Sequence, residues 1–489
     1  MDSILGPSQT GGHIEMSSLP IPSACRLVFD RETRLLADGR VLLGGSPLRL
    51  LRLTDEGAKT VRSLREGMTT AEVGADVPGS RARLVRRLLA TGMAHPRPGT
   101  PGPSWRDVTV VVPVRDRASE LARLLAHVGP VGAVIVVDDA SLDDSADVAA
   151  RMGAHVIRLQ RPGGPAGARN EGLRVAETPL VAFIDSDCEP SPGWLDRLLG
   201  HFEDPAVVAV APRIVEPDNN ANSFLSRYER ARSPLDMGSR EGPVRPRSRL
   251  SYLPSAALVV RRDISESLDG FDKTLTTGED VDFIWRLVKA GGVVRYEPAS
   301  RVGHHHRTRL TELLERRISY GRAAGPLAKR HPEELVAVEA SRWTLFAWAL
   351  GAIGHPYIGL AVAGASAATL SRRTIDLEES GHFNQIGFEM GRLALRGHWL
   401  AGQTIASAIM RTWLPIFVLA AIFSKRARVI LAGAAIVPAL VEWARRRPRL
   451  DPLRYVALRI LDDSAYAAGV WRGCIEEKTA SPLMIRSRK

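Results

Sequence analysis

From Asp107 onward the sequence alternates between two textures. Short apolar runs of strand type, VTVVVPV, AVIVVDD, AHVIRL and LVAFIDSD, recur at intervals of about 25 residues. Between them lie helical segments such as SELARLLAHV and ARNEGLRVAE. Continuous apolar strands separated by helices predict an α/β fold with a doubly wound, mostly parallel sheet. Ligands on such sheets bind at the carboxyl ends of the strands. The polar residues just after each apolar run are therefore the first place to look for chemistry.

The alternating stretch fills only part of 489 residues, which at roughly 150 residues per domain leave room for two to four domains. The spacing and composition predict a disordered Gly/Ser/Pro tail over 1–23, a small module over 24–98, a Pro/Gly linker over 99–106, the sheet domain over 107–335 and an apolar helical region over 336–489. In the small module, two short β runs (RLVFD and RVLLGG) precede two helical patterns, LTDEGAKTVRSLREG and SRARLVRRLLATG, with Thr54 placed to cap the first. That order suits a winged-helix-like module, or equally a structural or peptide-binding adaptor. In the last region, Trp343 to Leu370 carries no Asp, Glu, Lys or Arg. Two further apolar runs, Thr412 to Phe423 and Val429 to Val441, are separated by the basic stretch KRAR. Basic flanks beside apolar runs fit a membrane-associated hairpin on an anionic surface; a soluble helical subdomain is the alternative.

Hydrophobic residues at 45% and charged residues at 25% exclude disordered, collagen-like and small disulfide-scaffold classes. The net charge of +12 comes mostly from Arg, since only seven of 66 basic residues are Lys. No Lys-rich tract with interleaved aromatics points to nucleic acid, which is not expected as a partner. Cys25, Cys188 and Cys474 are too scattered for a zinc site or a disulfide framework. Met1 to Ala24 lacks the basic start and apolar core of a secretory signal. A cytoplasmic location, at the membrane's inner face if the tail binds it, is the expectation.

Six clusters stand where the fold predicts chemistry. PVRDR, with Pro113 and Arg115, follows the first strand, and Asp138 and Asp139 follow the second. A carboxylate there can accept from a base or a ribose hydroxyl, but the same stretch also reads as a helix cap. The loop GGPAGARN allows close approach of backbone to a ligand ahead of a helix start, with Arg169 placed to meet a phosphate. Asp185-Ser186-Asp187 follows the fourth strand. Two carboxylates on one turn repel each other, and a Mg²⁺ or Mn²⁺ that bridges to substrate phosphates would offset this. A polar turn ahead of Pro192 is the other reading. Glu279-Asp280 opens the helix EDVDFIWRLVKAGG; acids are stabilising in a first helical turn, and Asp280 is also a candidate general base. Finally, VGHHHR follows the run VVRYEP, and a His there would complete a metal shell.

In order and spacing these pieces resemble the inverting family 2 glycosyltransferases of the GT-A fold, over about Asp107 to His331: VVVPVRDR, VVDDAS, GGPAGARN, AFIDSDCEPSPGWL, SYLPSAALVVRR, GEDVDFIWRL, VGHHHR. The resemblance implies that Asp139 contacts the uracil or ribose, that Pro113, Arg115 and Arg169 help hold the nucleotide sugar, and that Asp185 lies near the ribose and the metal. It implies Asp187 and His304, or the neighbouring His306, as metal ligands and Asp280 as the base. Glu279, Trp285 and Arg317 fall to the acceptor side or to support. The whole chain resembles more closely the mycofactocin-system glycosyltransferases, including RYERARSPLDMG and DDSAYAAGVWRGC near the end. That family implies a UDP-glucose donor, a peptide-derived small-molecule acceptor, a β-linked oligoglucoside product, and an N-terminal module similar to peptide-recognition domains that could contact the precursor peptide. A sugar transferase acting on a lipid or polysaccharide carrier is the nearest alternative, and a catalytically inactive peptide-binding protein is one of a different class.

Overall fold

The computed structural model describes residues 19–99, 102–217, 223–304, 309–375 and 383–488. The chain forms two compact units, one of Met1–Pro217 with Pro234–His305, the other of Asp218–Ser233 with His306–Lys489.

The first unit begins with β1 (Arg26–Phe29), β2 (Arg34–Leu36), β3 (Val41–Gly44), β4 (Arg49–Arg52), α1 (Asp55–Arg65), α2 (Ser80–Thr91) and β5 (Ala94–Arg97). Strands β2, β3 and β4 form an antiparallel sheet, and β1 pairs with β5. Thr54 caps α1, accepting from the Gly57 amide at 3.1 Å, and Gly92 ends α2 in the left-handed region. Leu27, Leu42, Leu51, Val61, Leu64, Val85 and Leu88 form a core of its own. Ion pairs fasten this part to the rest of the unit: Arg86 to Asp204 and Arg97 to Glu241, both at 2.5 Å, and Arg240 to Asp30 at 3.1 Å.

The sheet domain follows as β6 (Val108–Val114), α3 (Ala118–His127), β7 (Ala133–Asp138), α4 (Ser145–Arg151), β8 (His155–Arg158), α5 (Gly164–Val175), β9 (Leu180–Ile184), β10 (Cys188–Pro190), α6 (Asp196–Leu199) and β11 (Val207–Val215). After α7 (Phe224–Arg232), which belongs to the second unit, come β12 (Gly242–Pro243), β13 (Ala257–Arg261), α8 (Arg262–Ser267), α9 (Glu279–Lys289) and β14 (Val293–His304). The order across the sheet is β10-β14-β11-β13-β9-β6-β7-β8, with β12 beside β14. Strands β8, β7, β6 and β9 run parallel, as their apolar runs predict. The other half departs from the expected mostly parallel sheet. β13 is antiparallel to both β9 and β11, and β10 is antiparallel to β14, so the sheet is mixed. β13 is fed by an extended segment rather than by a crossover helix, so nothing obliges it to run parallel. Val110, Val112, Val136, Ala182, Ile184, Val210 and Val259 bury one continuous core with Leu121, Leu124, Trp194 and Phe202. At Gly172 a Cβ would stand 2.3 Å from the Val111 side chain, so α5 packs hard against β6.

The second unit contains α7, α10 (Leu310–Arg322), α11 (Ala324–Arg330), β15 (Val338–Ser341), α12 (Arg342–Ala352), α13 (Pro356–Ile375), α14 (Phe383–Arg411), α15 (Leu414–Phe423), α16 (Lys425–Arg446), α17 (Pro452–Glu476) and β16 (Ile485–Arg488). The apolar run from Trp343 is broken ahead of Pro356, which opens α13 instead of continuing α12. The KRAR stretch, which separates two apolar runs in the sequence, forms the first turn of α16, capped by Ser424. Lys425–Arg446 is long and apolar enough to cross a membrane. Gly387–Arg411 and Leu414–Phe423 pass the same test together, but with an 85° bend between them. Helices α10 and α17 touch through glycines: a Cβ at Gly321 would lie 2.1 Å from the Tyr466 carbonyl, and one at Gly469 would lie 2.1 Å from that of Ile318. Beside them the two sequence segments RYERARSPLDMG and DDSAYAAGVWRGC meet. Arg232 pairs with Asp462 at 3.1 Å and Asp463 at 2.9 Å, and Tyr228 donates to Asp462 at 2.8 Å.

Candidate functional site

The parallel half of the sheet reverses its strand order at β6, whose neighbours are β7 and β9. In such sheets the crevice beyond the strand ends at a reversal is where ligands bind. The last residues of β6, β7 and β9 and those that follow them include Pro113–Arg117, Asp138–Ser141 and Asp185–Asp187; Pro113 and Asp138, read from sequence as lying beyond their strands, are still within β6 and β7. Two of them hold a left-handed backbone without being glycine, Asp116 at φ +53 and Ala140 at φ +57. Hydrogen bonds brace both turns: the Asp116 amide donates to Ser141 Oγ at 3.0 Å, and the Leu142 amide donates to Asp116 Oδ1 at 2.7 Å. Strained backbone of this kind persists only where surrounding contacts over-determine it.

Asp139 is buried, and its two carboxylate oxygens accept from the amides of Gly163 (2.5 Å) and Gly164 (3.0 Å). The carboxylate therefore pins the glycine loop to the end of β7. Each oxygen keeps a second lone-pair direction. Pro113 lies in β6 opposite Val137. Arg115 is half exposed, its Nε 3.7 Å from Asp116.

The turn after β9 carries the densest charge. Asp187 is ion-paired with Arg117, from the start of α3, and its Oδ1 lies 3.5 Å from His304 Nε2. Antiparallel pairing of β10 with β14 sets Cys188 opposite His304, which brings the histidine to this turn. Burial pushes the Asp187 carboxyl up, but His304 and Arg117 outweigh it and leave the group below its usual range. Arg117 stands seventy residues from its partner. It sits within PVRDR, yet its signal in sequence is no stronger than that of Arg115.

Among the described residues no three His, Cys, Asp or Glu side chains form a metal cluster. Asp187 and His304 supply two donors. That number suits an octahedral cation held by one or two protein groups and completed by substrate phosphates and water. The Arg117 guanidinium rests on Asp187 where positive charge is called for. The donor set therefore fits a substrate-completed Mg²⁺ or Mn²⁺ site. His306 lies outside the described residues.

Arg169 is buried in α5. Its Nη2 donates to Asp185 at 2.6 Å and its Nη1 to Glu279 at 3.0 Å, so one guanidinium ties the turn after β9 to the start of α9. Gly278, at φ +85, turns the chain into α9. Asp280 is partly exposed, and its Oδ1 accepts from the Val281 amide at 2.8 Å. No ion pair to it is found among the described residues. Burial by the surrounding protein, and then the neighbouring Glu279 charge, push its carboxyl up to about 7. Trp285 is buried, its indole N–H donating to the Ser251 carbonyl at 2.7 Å. Arg317 lies in the second unit, where it pairs with Glu229 at 2.5 Å and Asp462 at 2.9 Å. The structure thus brings Asp185, Asp187, Arg169, Glu279, Asp280 and His304 into one constellation of the first unit.

Residues 109–268 match the profile of glycosyl transferase family 2. The chain is similar to the pre-mycofactocin glycosyltransferase of Mycobacterium tuberculosis, 42% identical over 480 residues that cover 96% of this chain and 99% of that protein. It is also similar to glycosyltransferase AglE of Haloferax volcanii, 25% identical over 226 residues, 44% of this chain and 72% of the other. Among solved structures, the mannosyltransferase PcManGT from Pyrobaculum calidifontis in complex with GDP-Man and Mn²⁺ is 18% identical, with a TM-score of 0.41 over 76% of this chain and 89% of that one.

Proposed function

The chain belongs to the family of the pre-mycofactocin glycosyltransferases and carries a family 2 glycosyltransferase domain of GT-A-like α/β fold, and from this premise we propose that it moves glucose from UDP-glucose onto pre-mycofactocin with inversion at the anomeric carbon. The observation that carries the reading is the placement of Asp280. It is a carboxylate without an ion-pair partner among the described residues, and it follows Glu279, which Arg169 ties to Asp185 in the turn after β9. A base titrating near neutral pH is matched to removing a hydroxyl proton.

In this reading Asp280 takes the proton of the acceptor hydroxyl as its oxygen bonds to the anomeric carbon from the face opposite the nucleotide. The bond from that carbon to the diphosphate oxygen breaks, and its electron pair leaves with UDP. Asp187 and His304 would hold the divalent cation, which supplies charge neutralisation for the departing diphosphate. Asp139, Pro113, Arg115 and Asp185 line the strand ends where the nucleotide would lie. One displacement converts an α-linked donor to a β product, and repetition gives a β-linked oligoglucoside.

The N-terminal strands and helices are proposed as a winged-helix-like peptide-recognition part able to contact the precursor peptide. The apolar helices are proposed to associate with the cytoplasmic face of the membrane. Supporting this, Ile416, Leu419, Ile422, Phe423 and Val429 are exposed, and basic residues stand at both ends of α16. The same exposed side chains favour a lipid-linked acceptor as the second reading.

The test is turnover of purified protein with UDP-glucose and pre-mycofactocin, followed by the mass of the extracted product. Asp280→Asn is expected to lower turnover by about 10²–10⁴-fold with donor binding kept. Wild-type-like turnover by this variant would sink the assignment, and sugar appearing only in an organic-solvent extract would move the acceptor to a lipid.

A further inference from the structure

The charged side chain buried deepest in the constellation is Arg169, and the sequence places it against a donor phosphate. Its surroundings give it another task. The guanidinium carbon lies 5.4 Å from the centroid of the Phe271 ring. Phe271 in turn packs on Phe283 of α9 (4.4 Å between centroids) and edge-on against Phe183 of β9 (5.1 Å). The next residue, Asn170, locks that ring's backbone on both sides. Its Nδ2 donates to the Phe271 carbonyl at 2.7 Å, and its Oδ1 accepts from the Phe271 amide at 2.8 Å. Gly270 has φ +61, and a Cβ there would stand 2.4 Å from Asn170 Oδ1, so the loop is moulded to this clasp. With both Nη atoms engaged by Asp185 and Glu279 and one ring against its plane, Arg169 has no freedom to swing toward a ligand.

We infer that Arg169 is a positioning residue, which fixes Glu279 at the start of α9 beside Asp280 and thereby sets the pH at which Asp280 can take the acceptor proton. The inference rests on the reading of Asp280 as the base. Among the described residues the charges that bear on Asp280 can be named. Glu279 and Asp282 share its helix, Asp282 being paired with Arg286 at 2.7 Å. Arg169 comes from α5 and brings Asp185 with it. The segment ahead of β13 contributes the backbone amide of Ser255. Glu279 opposes ionisation of Asp280, and Arg169 favours it. The two act in opposite senses on one group, which makes the arrangement testable by direction as well as by size.

The experiment is the pH profile of kcat/KM for the full chain with Glu279→Gln, Arg169→Met and Arg169→Lys, alongside Asp280→Asn. Removing the Glu279 charge is expected to move the acid limb of the profile to lower pH by about one unit. Removing the Arg169 charge is expected to move it to higher pH by a similar amount, with Arg169→Lys lying between Arg169→Met and the wild type. The KM for UDP-glucose should change by less than about threefold in these variants, because a positioning residue does not touch the donor. If Arg169→Met does not fold, Glu279→Gln and Arg169→Lys still decide the matter. Limbs that stay in place, or that move the same way in Glu279→Gln and the Arg169 variants, overturn the inference. So does a rise of tenfold or more in donor KM for Arg169→Lys without a shifted limb, which would return Arg169 to the phosphate. Full turnover by Asp280→Asn is a separate failure, because it removes the base itself and not its tuning.

Discussion

At the carboxyl end of the sheet Asp185, Asp187 and Glu279 share the guanidiniums of Arg117 and Arg169, and Asp280 follows Glu279. Among the helices of the second unit Glu229, Glu442, Asp462 and Asp463 meet Arg232, Arg317, Arg411 and Arg459. Both clusters are largely buried, but only the second is balanced in the sense that every one of its carboxylates has a guanidinium within 4 Å. Burying a charge without a partner costs several kcal/mol, so an ion network that serves the fold alone tends toward full pairing. Among the described residues the first cluster carries more carboxylates than guanidiniums, and no ion pair reaches Asp280. That excess calls for something from outside the chain, a cation and a proton in the reading above. Counting charges thus separates a structural network from a functional one even though the residue types are the same.

Breaking the balanced cluster should cost the most stability. Arg232→Met removes the partner shared by Asp462, Asp463 and Glu442 and is expected to destabilise the fold by about 3–5 kcal/mol, read in a urea or thermal melt. A loss below about 1 kcal/mol would show the network to be solvent-relaxed and the contrast false. Asp187→Asn in the unbalanced cluster should act on chemistry instead. Turnover is expected to fall by about 10²–10³-fold with a smaller drop in melting temperature than for Arg232→Met. Chelation by EDTA should mimic this and Mn²⁺ or Mg²⁺ should reverse it; full activity in EDTA would remove the cation from the reading. The smallest effect belongs to Arg115, half exposed beside Asp116. Arg115→Ala should leave stability within about 0.5 kcal/mol, and a larger loss in the melt would mean that the sequence undervalued its structural part.

Much of this was legible before any coordinates. Strands β6, β7 and β9 are buried over most of their length, and such strands read as unbroken apolar runs. The acids that follow them could be picked out for that reason alone. The direction of β13 was not legible, because an apolar run looks the same in either orientation. Nor was the extent of α16, since the KRAR charges that looked like a break lie in a capped first turn. Arg115 and Arg117, two residues apart, look alike in the sequence, and only the bond of Arg117 to Asp187, seventy residues away, sets them apart. The glycine loop marks Arg169 in the sequence, but its bond to Glu279, 110 residues further on, is not legible there.

The sequence by itself determined the alternation of strand and helix, the segments that must be buried, and the strand ends that must carry polar chemistry. These follow from periodicity and apolar run length, which act over a few residues and need no distant partner. Only the tertiary structure decided which charges meet. Coulombic attraction and hydrogen bonding fall off within a few ångströms, so the pairing of Arg169 with Glu279, of Arg117 with Asp187 and of Arg232 with Asp462 exists only once the chain has closed loops of 70 to more than 200 residues. Among the described residues Asp280 has no ion pair, and Arg169, which acts on it electrostatically, is already engaged by Asp185 and Glu279 through those same closures.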